Sequence, residues 1–237
     1  MRMKIRMKQV SLFTIFILLT VTLTVGSAYA TTISVGFEPF GVAFDSHLNE
    51  VFITNEGSGT VSVISDAANK VVKTMTVGSK PAGVAFDSNK NEVFVANFGS
   101  GTVSAISDAT NTVVKTITIG TDPSAVVFDA HLNEVFATNE GSGTVSVISD
   151  ATNTVIKTIT VAASGAGLFG VVFDAHLNEI FATIAGSGTV SVISDATNKV
   201  IKVITVGTDP VGVAFDSHLN EVFVANYLSS TVSVLPG

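Results

Sequence analysis

Four histidines stand at one recurring place in the chain: His47, His131, His176 and His218 each precede Leu-Asn, and a fifth copy of the place carries Asn89 instead. An Asp lies two residues before each (Asp45, Asp87, Asp129, Asp174, Asp216), and an Asn-Glu pair such as Asn49-Glu50 follows it. Neutral imidazole and carboxylate oxygen are metal ligands, so matched copies could in principle hold a cation or serve as acid and base. The spacings do not support it. Zinc sites on one element use H-x-H or H-E-x-x-H, and calcium loops place oxygens at D-x-D-x-D-G intervals. Neither pattern occurs. Asp and Asn also bond their own backbone in tight turns. Both this Asp series and a second one (Asp66, Asp108, Asp150, Asp195) therefore read as turn residues, and no metal is expected.

Other chemical motifs fare no better. Gly165-Ala166-Gly167-Leu168-Phe169-Gly170 matches G-x-G-x-x-G, but Val171-Val172-Phe173-Asp174 follows it as a strand. Pyrophosphate binding requires the N-terminus of a helix there. There is no cysteine, no G-x-S-x-G and no P-loop, so no catalytic residue and no cofactor is assigned.

Composition narrows the partners. The bases Arg2, Lys4, Arg6 and Lys8 all precede the first apolar run, and the remaining eight lysines face nineteen acids, a balance of −11. Nucleic-acid binding needs clustered cations to displace counterions from phosphate, and is not expected. The same basic end, the uncharged run Val10–Val25 and the small-x-small step Ala28-Tyr29-Ala30 form a secretory signal, with cleavage between Ala30 and Thr31. Sixteen residues is short of the ~20 that span a bilayer. An uncleaved anchor is the competing reading and the only membrane contact expected. Residues 31–237 are then the mature domain, secreted or held at the cell surface. No N-x-Ser/Thr sequon is present.

Internal repetition decides the fold. Phe44-Asp45 returns as Phe86-Asp87, Phe128-Asp129, Phe173-Asp174 and Phe215-Asp216, at intervals of 42, 42, 45 and 42 residues. Repeats begin near 35, 77, 119, 161 and 206. In the second unit, Gly83–Asp87 (a), Glu92–Ala96 (b), Thr102–Ser107 (c) and Val113–Ile119 (d) are β-rich runs separated by Asn, Asp, Gly and Pro turns. The turns leave no room for crossover helices, so each unit is an antiparallel meander. Strand b is apolar on both faces, and radial stacking of sheets covers both. The fold class is all-β: a β-propeller of five four-stranded blades. Strand d, with Lys73, Lys115, Lys157 and Lys202, suits the outer edge. The last repeat stops after its strand c, while Thr31–Gly36 matches the strand d segment Lys115–Gly120. The N-terminal strand is expected to complete the last blade and close the ring as a monomer.

The segments VFITN (51–55), VFVAN (93–97), VFATN (135–139) and VFVAN (222–226), with P-x-G-V-A-F and G-S-G-T-V-S-V-I around them, resemble the YVTN repeat with Phe in place of Tyr. The resemblance covers the mature chain and implies a β-propeller of the exported, surface-layer type found in archaeal and bacterial envelopes; relatives of the fold include lactonases. Two features depart from it. Family propellers often have seven blades where this chain has five repeats, and the fourth repeat reads IFATI at 180–184, losing the Asn.

The repeats differ most at one end. The a–b and c–d turns are nearly constant, whereas the d–a and b–c loops vary and carry Phe37, Phe40, Phe98, Leu168, Phe169, Ile184, Tyr227 and Leu228, with Glu56 and Glu140 among them. Apolar side chains on exposed loops mark a binding surface, although some could equally plug a central channel. The expected function is an exported, non-catalytic binding or scaffold module for an envelope protein, a peptide or a glycan. A hydrolase or lyase of the lactonase kind and a surface-lattice component are the alternatives.

Overall fold

The computed structural model describes residues 31–237, and Ile33–Gly237 form one compact unit. The expected signal segment and the Ala30 side of its cleavage step lie outside the described residues.

Nineteen strands arrange as five antiparallel sheets in sequence order. Blade 1 holds β1 (Pro39–Asp45), β2 (Glu50–Asn55), β3 (Thr60–Ser65) and β4 (Lys70–Thr76). Blade 2 holds β5 (Pro81–Asp87), β6 (Glu92–Asn97), β7 (Thr102–Ser107) and β8 (Thr112–Thr118). Blade 3 runs from β9 (Pro123–Asp129) and β10 (Glu134–Asn139) to β11 (Thr144–Ser149) and β12 (Thr154–Thr160). Blade 4 comprises β13 (Leu168–Asp174), β14 (Glu179–Ile184), β15 (Thr189–Ser194) and β16 (Lys199–Thr205). Blade 5 has three strands, β17 (Pro210–Asp216), β18 (Glu221–Asn226) and β19 (Thr231–Pro236). Observed boundaries fall within two residues of those read from the second repeat.

Turn chemistry explains why the a–b and c–d turns are constant. Asn49, Asn91, Asn133, Asn178 and Asn220 all adopt positive φ, as do Asn69, Asn111, Asn153 and Asn198 in the c–d turns. Asn tolerates this left-handed region better than other side-chain-bearing residues. Asp45 Oδ1 accepts the N–H groups of His47 (2.7 Å) and Leu48 (3.2 Å), which fixes the turn after β1. The same bonds recur from Asp87, Asp129 and Asp174.

The core lies in the seams between blades. Phe52, Val61 and Val63 of blade 1 pack on Val93, Val95 and Ile106 of blade 2. Phe94 with Val103, Phe136 with Val145, and Phe181 with Val190 repeat the arrangement at the next three seams. Thus in blades 1–4 the Phe face of strand b meets the Val face of the next blade, as two-sided apolar strands require. Each buried Phe contributes roughly 2–3 kcal/mol of transfer free energy. The lysines of the outer strands lie on exposed edges, where they discourage pairing with other chains.

One expectation fails. Among the described residues the edge of β19 has no partner strand, and residues 31–35 form none. The segment is instead anchored to blade 1, because the Gly36 N–H donates to Asn55 Oδ1 at 3.1 Å. The innermost strands meet in succession from β1 to β17, but β17 and β1 make no comparable contact among the described residues. Among the described residues the last sheet therefore has three strands, and Ile33–Gly36 adds no fourth strand to β19.

Candidate functional site

The end of the molecule carrying the d–a and b–c loops is held by a repeated backbone clamp. Glu38, Lys80, Asp122 and Asp209 occupy equivalent places with φ of 53°, 48°, 52° and 57°, and Gly167 takes the place in blade 4. Their carbonyls accept the N–H groups of Glu56, Phe98, Glu140, Tyr227 and Ala185 at 2.8–2.9 Å. Left-handed backbone at residues other than Gly is uncommon and held by its surroundings. It fixes the first residue of each b–c loop, the place from which Glu56, Phe98 and Glu140 project.

These three side chains converge with strand a. A cavity of about 260 Å³ is lined by Phe40, Ala82, Ser124 and Phe169, which hold one repeat position, and by Glu56, Phe98 and Glu140. Its walls are three phenyl rings and two carboxylates. Partial burial, reinforced by the negative charge of Asp122, holds the Glu140 carboxyl above its usual range. The Ser124 hydroxyl donates to the Leu168 carbonyl at 2.8 Å and bridges blades 3 and 4 beneath the opening. No imidazole, thiol or amine lines this cavity.

Five of the residues singled out in the sequence therefore meet at one place: Phe40, Phe98, Phe169, Glu56 and Glu140. Phe40 and Phe169 stand inside β1 and β13, not in loops. Phe37, Tyr227 and Leu228 are exposed on this end, at 70%, 71% and 67%, but do not line the cavity. Leu168 and Ile184 are corrected. They pair across β13 and β14, are 0% and 3% exposed, and belong to the apolar core. The three-residue insertion precedes Leu168, so that residue begins the strand where a loop was expected. Ala82 and Ser124 were missed because nothing in their chemistry marks them; their repeat position, shared with Phe40 and Phe169, was the available signal. A second hollow of about 580 Å³ lies against the insertion, lined by Ala162, Ala163, Gly165, Ala166 and Val203 among others. No ionisable side chain lines it.

On the opposite end the histidines do more than turn the chain. His47 Nδ1 lies 2.8 Å from Asp108 Oδ2, and His131 Nδ1 lies 2.7 Å from Asp195 Oδ2, each pair joining successive blades. The second copy replaces this tie: Lys90 Nζ donates to the Asp150 carbonyl at 2.6 Å and sits 3.3 Å from Glu92. Asp195 raises the His131 pKa through this hydrogen bond. Burial raises Asp129 and Asp87, against the bonds donated by the turn amides. Ligand atoms of Asp45, His47 and Asp108 lie within 4.8 Å of one another. His47 is bonded to Asp108, and Asp45 Oδ1 is occupied by turn amides. The cluster thus serves as a seam fastening.

No family model matches the chain, and no curated protein sequence matches it. Among solved structures, the hydrazine synthase of Kuenenia stuttgartiensis superposes with a TM-score of 0.72 at 16% identity, over 87% of this chain and 68% of that one. A catalytically inactive variant of virginiamycin B lyase from Staphylococcus aureus, solved with quinupristin, gives 0.69 at 11% identity, over 86% and 71%. Likeness at such identity speaks to architecture. Together with the five radially seamed sheets, it makes the fold of this chain propeller-type and all-β.

Proposed function

We propose that this protein is an exported, non-catalytic β-propeller module that captures a partner at the cell surface or in the envelope through its d–a and b–c loop end. The observation carrying the reading is the convergence of Phe40, Phe98 and Phe169 with Glu56 and Glu140 on one cavity. Aromatic rings give large contact area at small entropic cost and dominate binding surfaces. The two carboxylates add a preference for an apolar group that carries positive charge, since cations are attracted both to carboxylates and to ring faces. An envelope protein or peptide with such a side chain fits best, and a glycan presenting a ring face fits less well. The signal-like residues 1–30 and the YVTN-like repeat motifs support export and a surface address. In this reading the signal would be cleaved between Ala30 and Thr31.

A propeller lyase or hydrolase is the second reading, motivated by the lyase among the fold neighbours. It would have to work with Glu56, Glu140 and the Ser124 hydroxyl, which donates to the Leu168 carbonyl, because the cavity wall supplies no imidazole, thiol or amine.

The test is cross-linking on intact producing cells. Changing Phe40, Phe98 and Phe169 to Ser should abolish the partner adduct while circular dichroism and Tm stay near those of the parent protein. Changing His47, His131, His176 and His218 to Asn should leave the adduct in place. If the aromatic variant unfolds, the rings are core plugs; if its adduct persists, binding occurs elsewhere.

A further inference from the structure

Two sets of side chains, each holding one repeat position, build the aromatic cavity. The first set is Phe40, Ala82, Ser124 and Phe169, on blades 1 to 4 in that order. Its two small members open the space, and its two phenyl rings bound it. The second set is Glu56, Phe98 and Glu140, which begin the b–c loops of blades 1 to 3, so a phenyl ring comes between two carboxylates in blade order. Their backbone is fixed, because the carbonyls of Glu38, Lys80 and Asp122 accept their N–H groups at 2.8–2.9 Å.

The polar groups of the wall differ in what they have left to offer. The Ser124 hydroxyl is already used, donating to the Leu168 carbonyl at 2.8 Å and lying 3.0 Å from Thr138 Oγ1. The two carboxylates are half-buried, and the ion pairs among the described residues all lie on the other end of the molecule. No side chain of the described residues donates to Glu56 or Glu140. The loops around them carry five acids, Glu38, Glu56, Asp122, Glu140 and Asp209, against the single base Lys80, which does not line the cavity. Burial and Asp122 hold the Glu140 carboxyl above its usual range, as expected of a carboxylate without a countercharge.

An occupant therefore has to bring donors to two carboxylates and an apolar surface to three rings. About 260 Å³ suits a single side chain, since small-molecule sites run from ~300 to 1,000 Å³. A lysine ammonium is a compact, strongly hydrated charge, and phenyl walls offer nothing in place of its water. A guanidinium is planar and weakly hydrated, stacks on aromatic faces and presents five N–H groups in a fork that matches carboxylates.

We propose that the cavity reads an arginine side chain of the captured protein or peptide, with Glu56 and Glu140 accepting from its guanidinium and the three phenyl rings covering its face and aliphatic stem. The inference rests on the loop-end capture reading and names the group that this surface recognises.

Protein recovered from producing cells is titrated with Nα-acetyl-arginine amide, Nα-acetyl-lysine amide and Nα-acetyl-citrulline amide, and binding is followed by NMR. Citrulline keeps the planar head and loses its charge. The arginine amide should saturate with a Kd at least ~10-fold below those of the other two. Glu56→Gln with Glu140→Gln should erase the difference between arginine and citrulline. Phe98→Leu keeps an apolar side chain and loses the ring face, so it should narrow the preference for arginine over lysine. Circular dichroism checks that both variants stay folded. On intact cells, excess arginine amide should suppress the partner adduct, and lysine amide should not. Equal binding of arginine and lysine, no saturable arginine binding, or arginine binding unchanged by the paired Gln substitutions each overturns the proposal. If the adduct is nevertheless lost when Phe40, Phe98 and Phe169 become Ser, capture stands and only the identity of the recognised group fails. If the adduct persists in that variant, the capture reading fails, and this assignment of its ligand fails with it.

Discussion

Gly78 and Asn97 are fitted to one another. The Gly78 N–H donates to Asn97 Oδ1 at 3.1 Å, and a Cβ on Gly78 would stand 2.6 Å from the Asn97 Cβ. Asn97 Nδ2 in turn donates to Thr102 at 3.1 Å and Ser104 at 3.0 Å, tying the b–c loop to β7. Gly36 with Asn55, Gly120 with Asn139 and Gly207 with Asn226 crowd in the same way. Blade 4 breaks both members together. Ala162 takes the glycine's place, Ile184 takes the asparagine's, and the Ser191 hydroxyl is left buried without a partner. The lost Asn of the fourth repeat is thus one half of a paired change, and its apolar replacement joins the core.

A double-mutant cycle checks this coupling. Gly78→Ala should cost about 1–3 kcal/mol, because its Cβ meets a packed side chain. Asn97→Ile should cost a similar amount by orphaning buried hydroxyls. The combined variant reproduces the Ala-Ile pair of blade 4 and should cost less than the sum by at least ~0.5 kcal/mol. Denaturant unfolding of the four proteins measures it, and simple additivity would refute the coupling.

Thr54 offers a seam-specific prediction. Its hydroxyl donates to the Ala82 carbonyl of the next blade at 2.7 Å and accepts the Gly41 N–H at 2.7 Å, fully buried. Thr54→Val keeps the volume and leaves both backbone groups unpaired, so it should destabilise by about 1–3 kcal/mol. Thr138 and Thr183 make the same tie to Phe169 and Val211, and blade 2 carries Ala96 there instead. Thermal unfolding of Thr54→Val that matched the parent protein would show that water replaces the lost hydroxyl.

Legibility followed the kind of signal each feature carried. Strand period and turn chemistry are local, so the five meanders, the buried strand b phenylalanines and the Asn turns could all be read from the repeat. The cavity was read in part, because Phe and Glu stand out on variable loops whereas Ala82 and Ser124 do not. Leu168 and Ile184 were misplaced since an insertion shifts the strand start, and only the pairing of β13 with β14 locates it. The His–Asp ties join residues 61 and 64 apart, on different blades, which no local spacing announces. Ring closure failed for a related reason. The match of Thr31–Gly36 to a strand d identifies the kind of strand, while the blade it completes depends on how far four seams carry the chain round.

The loop-end carboxylates should make capture pH-dependent. Glu140 is held above its usual pKa by partial burial and by Asp122, so it gains its proton earlier on acidification than an exposed Glu. If its negative charge contributes to holding a cationic group, capture should weaken as pH falls through that raised pKa. Glu140→Gln should show weaker capture at neutral pH and little further loss on acidification. Cross-linking yield against pH for the two proteins decides it; parallel profiles would remove Glu140 from the binding step.

Stability should run the other way with pH. Asp87, Asp129, Glu134 and Glu179 all have pKa values raised chiefly by burial, and His131 has one raised by its hydrogen bond to Asp195. A pKa above its unfolded value means that the folded protein binds the proton more tightly, whether the group is a carboxyl or an imidazole. Such a contribution is complete below the unfolded pKa and is lost as pH rises through the folded one. All five groups have the same sign. Tm should therefore fall as pH is raised from about 5 to about 9, with the carboxyl contribution lost first and the histidine contribution lost above ~6.5. His131→Gln should flatten the neutral-to-alkaline part of the curve and leave the acidic part unchanged. Calorimetry across this range tests both. A Tm that rises with pH would mean that the carboxylates gain more from turn amides than they lose to burial, and a His131→Gln curve parallel to the parent would place the neutral titration elsewhere.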